Sequence, residues 1–110
     1  MNIYKIYFNH ITEAINSFRS DYDYTFDIKK ILSKLTLEPP KNALNGDMST
    51  NIAMLLTSEI KLNPNEIANR FKAYILKLPG IEEITIAGPG FINITLTQST
   101  WASAIKNILF

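Results

Sequence analysis

The chain has 110 residues, no cysteine, 46% hydrophobic and 19% charged residues, which is enough for one globular domain with its own core and too little for two. Eleven Lys+Arg against ten Asp+Glu leave a net charge of +1, which excludes a strongly basic, phosphate-driven general nucleic-acid binder and leaves only local, shape-dependent contacts. The lack of cysteine removes disulfides, thiolate nucleophiles and Cys-based metal sites.

In the first segment Tyr4, Phe8, Ile11, Ile15 and Phe18 recur at steps of four and three, which predicts a helix over about residues 3 to 18 with that stripe in the core. The same spacing also suits a short coiled-coil seam, although it supplies only about two heptads where sustained pairing needs three. Ser20 to Asp27 is polar with interleaved aromatics and reads as a loop. Asp27 then caps a short helix carrying Ile28, Ile31, Leu32 and Leu35, followed by an extended Leu35 to Glu38 that Pro39 and Pro40 end. Lys41 to Asp47 is turn-like around Asn45-Gly46.

From Ser49 or Thr50 to about Ile60, the residues Ile52, Ala53, Leu55, Leu56 and Ile60 predict a helix capped by one of the two hydroxyls. The next helix starts at Pro64, with Asn63 as cap and Glu66 at the capping-box position, and presents Ile67, Phe71, Ile75 and Leu78 before Pro79-Gly80 stops it. Two period-two runs, Ile84 with Ile86 and Ile92 with Ile94 and Leu96, flank Gly88-Pro89-Gly90 and predict a β-hairpin. A last helix from about Gln98 to Leu109 carries Trp101, Ile105, Ile108 and Leu109 on one side, and the apolar ending at Phe110 reads as the edge of a larger whole. No apolar run approaches the roughly 18 to 20 residues of a membrane span. The amphipathic start does not read as a signal peptide, so a cytoplasmic chain without membrane contact is expected.

Candidate chemistry is sparse. His10 has no second His or Cys near it in sequence, so no metal site and no Ser-His-Asp arrangement is expected. Asp21, Asp23 and Asp27 imitate the start of a calcium loop, but Phe26 and Leu32 occupy the positions that need glycine and glutamate. Glu82 and Glu83 are adjacent on a strand and point to opposite faces. Gly88-Pro89-Gly90 lacks the Lys-Ser/Thr of a phosphate loop. No catalytic residue is therefore assigned.

The last strand offers more. If Ile92, Ile94 and Leu96 face the core, Phe91, Asn93 and Thr95 stand on the opposite face. An aromatic plane beside an amide suits an unstacked RNA base, the ring stacking and the amide bonding the base edge. An aromatic there also suits burial under a helix.

Pro40-Lys41, NGDMSTNIAMLL (Asn45 to Leu56), NPNEIANRF (Asn63 to Phe71) and IAGPGFINITL (Ile86 to Leu96) together resemble, in order and spacing, the N-terminal additional domain of arginyl-tRNA synthetase over roughly residues 35 to 110. Asn45, Met48 and Ser49 stand where that family usually has histidine, tyrosine and alanine. The resemblance implies a single α+β domain over 1–110, with a small antiparallel sheet packed by several α-helices, that contacts the D-loop at the elbow of tRNA(Arg). It puts Phe91 and Asn93 at the base-reading positions and gives Gly88 and Gly90 a role in close backbone approach, while Lys41, Arg70 and Lys72 are candidates by proximity to the motifs. It implies no DNA partner and no cofactor for this domain. ATP and Mg belong to the catalytic domain of the same parent chain, which with the anticodon-binding part is expected outside these 110 residues. The competing reading is a protein-interaction or regulatory module that docks through the first helix or the apolar last one.

Overall fold

The computed structural model describes the backbone of residues 2–109 and the side chains of residues 2–42 and 44–104. Helix α1 (Ile3–Asp21) begins where the Asn2 side chain accepts the Tyr4 N–H at 2.9 Å. Its buried line is Ile3, Tyr7, Ile11, Ala14, Ile15 and Phe18. The expected stripe is thus displaced by one residue at its start. Tyr4 and Phe8 pack only partly against the core, because the adjacent line beginning at Ile3 has the same helical spacing. Burial of this face inside the chain leaves no seam for the coiled-coil alternative.

Beyond α1, the expected loop carries core after all. Phe26 is buried, Tyr24 half-buried, and the Phe18 ring meets Tyr22, Tyr24, Phe71 and Tyr74 at centroid distances of 4.9, 5.6, 5.4 and 5.4 Å. Period-free aromatics joined this cluster through tertiary contact, which no local spacing announces. Asp27 caps α2 (Ile28–Lys34) as expected, accepting the Lys29 N–H at 3.0 Å.

The segment after α2 departs most from expectation. Leu37–Glu38 forms the short strand β1 within the stretch expected to be extended, whereas Met48–Thr50 is strand β2, so Ser49 and Thr50, read as the start of a helix, are extended instead. Helix α3 (Ile52–Thr57) begins only after it, at Asn51, without a side-chain cap. The Asn51 amide is engaged elsewhere, accepting the Thr36 N–H at 2.9 Å and donating to the Lys34 carbonyl at 3.1 Å. Neither hydroxyl caps a helix. Thr50 is wholly buried and Ser49 faces the other way.

Asn63 caps α4 (Pro64–Leu76) as read, its Oδ1 accepting the Glu66 N–H at 2.8 Å, and Ile67, Ala68, Phe71 and Ile75 are buried. Leu78 lies past the helix end and is half-buried. Strands β3 (Ile81–Ala87) and β4 (Phe91–Leu96) form the expected hairpin, with an irregularity between Ile81 and Glu83. Helix α5 (Gln98–Leu109) follows, and the side chains of Ile105, Ile108, Leu109 and Phe110 lie outside the described residues.

The result is the expected α+β domain, built on a four-stranded antiparallel sheet in the order β1-β2-β4-β3. Met48, Thr50, Ile84, Ile92, Ile94 and Leu96 face the helices and are buried. Asp47 secures the junction of β2 with β4. Its N–H donates to the Ile94 carbonyl at 2.8 Å, and its carboxylate accepts the Leu96 N–H at 2.8 Å. Among the described residues no helix is long and apolar enough to cross a membrane.

Candidate functional site

Period-two geometry sends the side chains between the core positions to the other face of the sheet. Strand register then decides which of them meet. Glu38 pairs with Ser49, Ser49 with Asn93, and Asn93 with Thr85, so one transverse row of polar side chains crosses all four strands. Phe91 stands one step along β4, opposite Ala87. Over this face lies a groove of 620 Å³. Thr36, Glu38 to Lys41 and Asn45 form one wall, Ser49 and Asn93 lie within, and Ala87 to Pro89 with Phe91 form the other side. Asn51 and Met54 complete the lining.

The two residues singled out from the alternation therefore do share a surface, but not in the manner expected. Phe91 is 39% exposed, so its ring is partly open to solvent. Asn93 is only 5% exposed. The expectation of a freely accessible amide is corrected here: neighbouring strands on both sides, together with the 39–45 connection, wall it in. Its carboxamide has no hydrogen-bond partner among the described residues and lines the groove instead.

The two glycines of the turn differ. Gly88 has φ +57°, and a Cβ there would meet nothing within 4 Å. Its exposed backbone is open to a ligand. Gly90 has φ +128°, is buried, and a Cβ there would lie 2.6 Å from the Pro64 Cβ. Its close approach is to the first residue of α4, so its requirement for glycine is met by the fold itself.

Among the candidate cations, Lys41 lines the groove and Arg70 and Lys72 do not. Both belong to α4, and the Arg70 guanidinium lies over the Tyr22 ring at 5.6 Å. With Glu38 in the same lining, formal charge cancels there. Sequence reasoning missed Glu38, Ser49, Asn51 and Met54 as groove residues. Their signal was the pairing of β2, which three residues cannot announce by periodicity. Among the described residues no group of His, Asp and Glu is arranged to hold a metal ion.

A second open cavity, of 500 Å³, lies between α1 and α4. There the Tyr74 hydroxyl donates to Asp21 Oδ2 at 2.7 Å. That bond, with burial and the Asp21 and Tyr22 charges adding to it, holds the Tyr74 phenol up at about 12. The contact joins the ends of two helices and offers no pair of groups for acid–base work.

Comparison with known proteins gives one consistent result. Residues 6–96 match the family described as the arginyl tRNA synthetase N terminal domain. The arginine–tRNA ligase of Azorhizobium caulinodans is 33% identical over 109 residues, covering 99% of this chain and 18% of that protein. That of Xanthobacter autotrophicus is 34% identical over the same shares, and that of Rickettsia prowazekii is 46% identical over 84 residues, covering 76% of this chain and 15% of the relative. The chain thus spans less than a fifth of the length of these relatives.

Proposed function

The chain belongs to the arginyl-tRNA synthetase N-terminal domain family, and from that premise we propose that it binds tRNA(Arg) at the D-loop, contributing recognition and positioning while ATP- and Mg-dependent arginylation belongs to the catalytic part of a longer cytoplasmic ligase. The observation that carries this reading is the joint placement of an exposed Phe91 ring and a largely buried Asn93 amide in one groove on the sheet face turned away from the core. An unstacked base lies against the ring and bonds the carboxamide. Lys41 on the opposite wall meets a flanking phosphate, and the bare backbone at Gly88 admits the sugar. Arg70 and Lys72 stay outside this assignment. The domain needs no cofactor for such work.

The test is an NMR titration of the labelled chain with a tRNA(Arg) transcript at low salt. Amide shifts concentrated on Gly88, Phe91, Asn93 and Ser49 are expected, and Phe91→Ala is expected to weaken binding about tenfold, the lower half of what stacking on an aromatic contributes. Shifts confined to α1 and α4, or an unchanged affinity for Phe91→Ala, refute the reading and favour a protein-docking role.

A further inference from the structure

Glu38 occupies the groove without any visible structural duty. It ends β1, its side chain is exposed, and among the described residues no ion pair engages it. The register places it in the same transverse row as Asn93, with Ser49 between them. Two strand spacings separate the ends of that stretch, about 10 Å. Ser49 is small, so the row dips at its middle, and the hollow is bounded by a carboxamide on one side and a carboxylate on the other.

The two bounding groups have different chemistry. A carboxamide both donates and accepts, whereas an ionised carboxylate only accepts. Glu38 also repels phosphate oxygens, while Lys41, three residues further along the same wall, attracts them. A nucleotide entering the hollow is thereby sorted, its phosphate toward Lys41 and an N–H-bearing edge toward Glu38. Adenine and cytosine carry an exocyclic amino group, as does guanine. Uracil's one edge donor, N3–H, lies between two carbonyl oxygens, so turning it toward the carboxylate sets acceptor against acceptor.

We infer that Glu38 is a specificity-determining residue of this groove, accepting a hydrogen bond from the exocyclic amino group of the base that Phe91 and Asn93 hold, so that an amino-bearing base enters in preference to uracil. The inference rests on the RNA-binding reading of the groove. Loss of the carboxylate removes the preference, because a glutamine at the same place turns its amide to donate to a carbonyl as readily as to accept from an amino group.

The experiment uses the 110-residue chain and tRNA(Arg) transcripts in which each unpaired D-loop position carries adenosine, cytidine, guanosine or uridine in turn. Affinity is measured for the wild type and Glu38→Gln, with the groove amides followed by NMR. The expected result is one position at which the best amino-bearing base exceeds uridine about tenfold, the low end for a hydrogen bond to a charged group, with that gap closing in Glu38→Gln while thermal unfolding is unchanged. The same gap in both proteins, or a uniform rise for all transcripts, overturns the role of Glu38 and leaves the groove reading intact as long as Phe91 and Asn93 still shift. Uridine as the preferred base in the wild type overturns it as well. Absence of shifts at Phe91 and Asn93 overturns the groove reading and this inference together.

Discussion

Gly88 and Gly90 sit two residues apart in one turn, and the structure separates their substitution costs. At Gly88 an alanine meets open space, and its penalty is the left-handed backbone at φ +57°, about 1 to 2 kcal/mol. The stiffer unfolded chain returns about 0.4 to 1 kcal/mol of that. The net expectation for Gly88→Ala is about 1 kcal/mol or less. At Gly90, φ +128° lies in a region nearly closed to side chains, of order 1 to 3 kcal/mol. The added Cβ also falls 2.6 Å from the Pro64 Cβ, where a relaxed carbon contact needs about 3.5 to 4.0 Å. Pro64 is the rigid first residue of α4 and cannot swing aside, so overpacking adds about 1 to 3 kcal/mol. Gly90→Ala should therefore cost about 3 to 4 kcal/mol in all. Urea unfolding followed by circular dichroism reads this directly. With a slope of about 1.5 kcal/mol/M, the Gly90→Ala midpoint falls by about 2 M and that of Gly88→Ala by about 0.5 M. Equal losses at the two positions refute the packing argument, and a larger loss at Gly88 reverses it.

The raised Tyr74 phenol gives a pH prediction. Its folded pKa of about 12 exceeds the ordinary 10.0, so the stabilising contact with Asp21 is fully present below pH 10 and is lost as pH rises from 10 toward 12. Asp21→Asn should return the Tyr74 absorbance titration toward 10 and remove that alkaline dependence, and an unmoved titration curve contradicts the assignment. Asn51→Ala leaves the Thr36 N–H and the Lys34 carbonyl without their partner and should cost about 1 to 3 kcal/mol in urea melts, loosening the β1 wall of the groove. A melt unchanged from wild type means that water replaces both bonds without loss.

Much of this architecture was legible because its signals are local. Asn63-Pro64 announces a helix start through its own cap chemistry, and the alternation of Ile92, Ile94 and Leu96 names the core face of β4 without knowledge of any partner. The misreadings share the opposite property. Ser49 and Thr50 carry hydroxyls suited to a cap, but their extended conformation is set by pairing with Asn93 and Ile92, which lie far along the chain. Tyr22, Tyr24 and Phe26 have no period because Tyr22 and Tyr24 meet Phe18 through tertiary contact and Phe26 joins them through Tyr24. The site was half legible for the same reason. Phe91 and Asn93 follow from alternation on one strand, whereas Glu38 and Ser49 join them through register, which is a property of the whole sheet. Arg70 illustrates the converse, since it is close to a motif in sequence yet does not line the groove.

The placement of β2 between β1 and β4 bears on the order in which the molecule assembles. The β3–β4 hairpin closes through a short turn, an event of about 1 to 10 μs. The seam between β2 and β4 must bring together groups such as Asp47 and Leu96, 49 positions apart. Such long-range closure pays its chain entropy before it gains any contact, and it is expected to be the slower event. The groove is built across that seam, so an early hairpin already displays Phe91 and Asn93 yet has no walls around them. The walls of the groove arrive only with the final closure, and a chain cut within residues 39–47 would keep its most recognisable motif while losing the cleft around it.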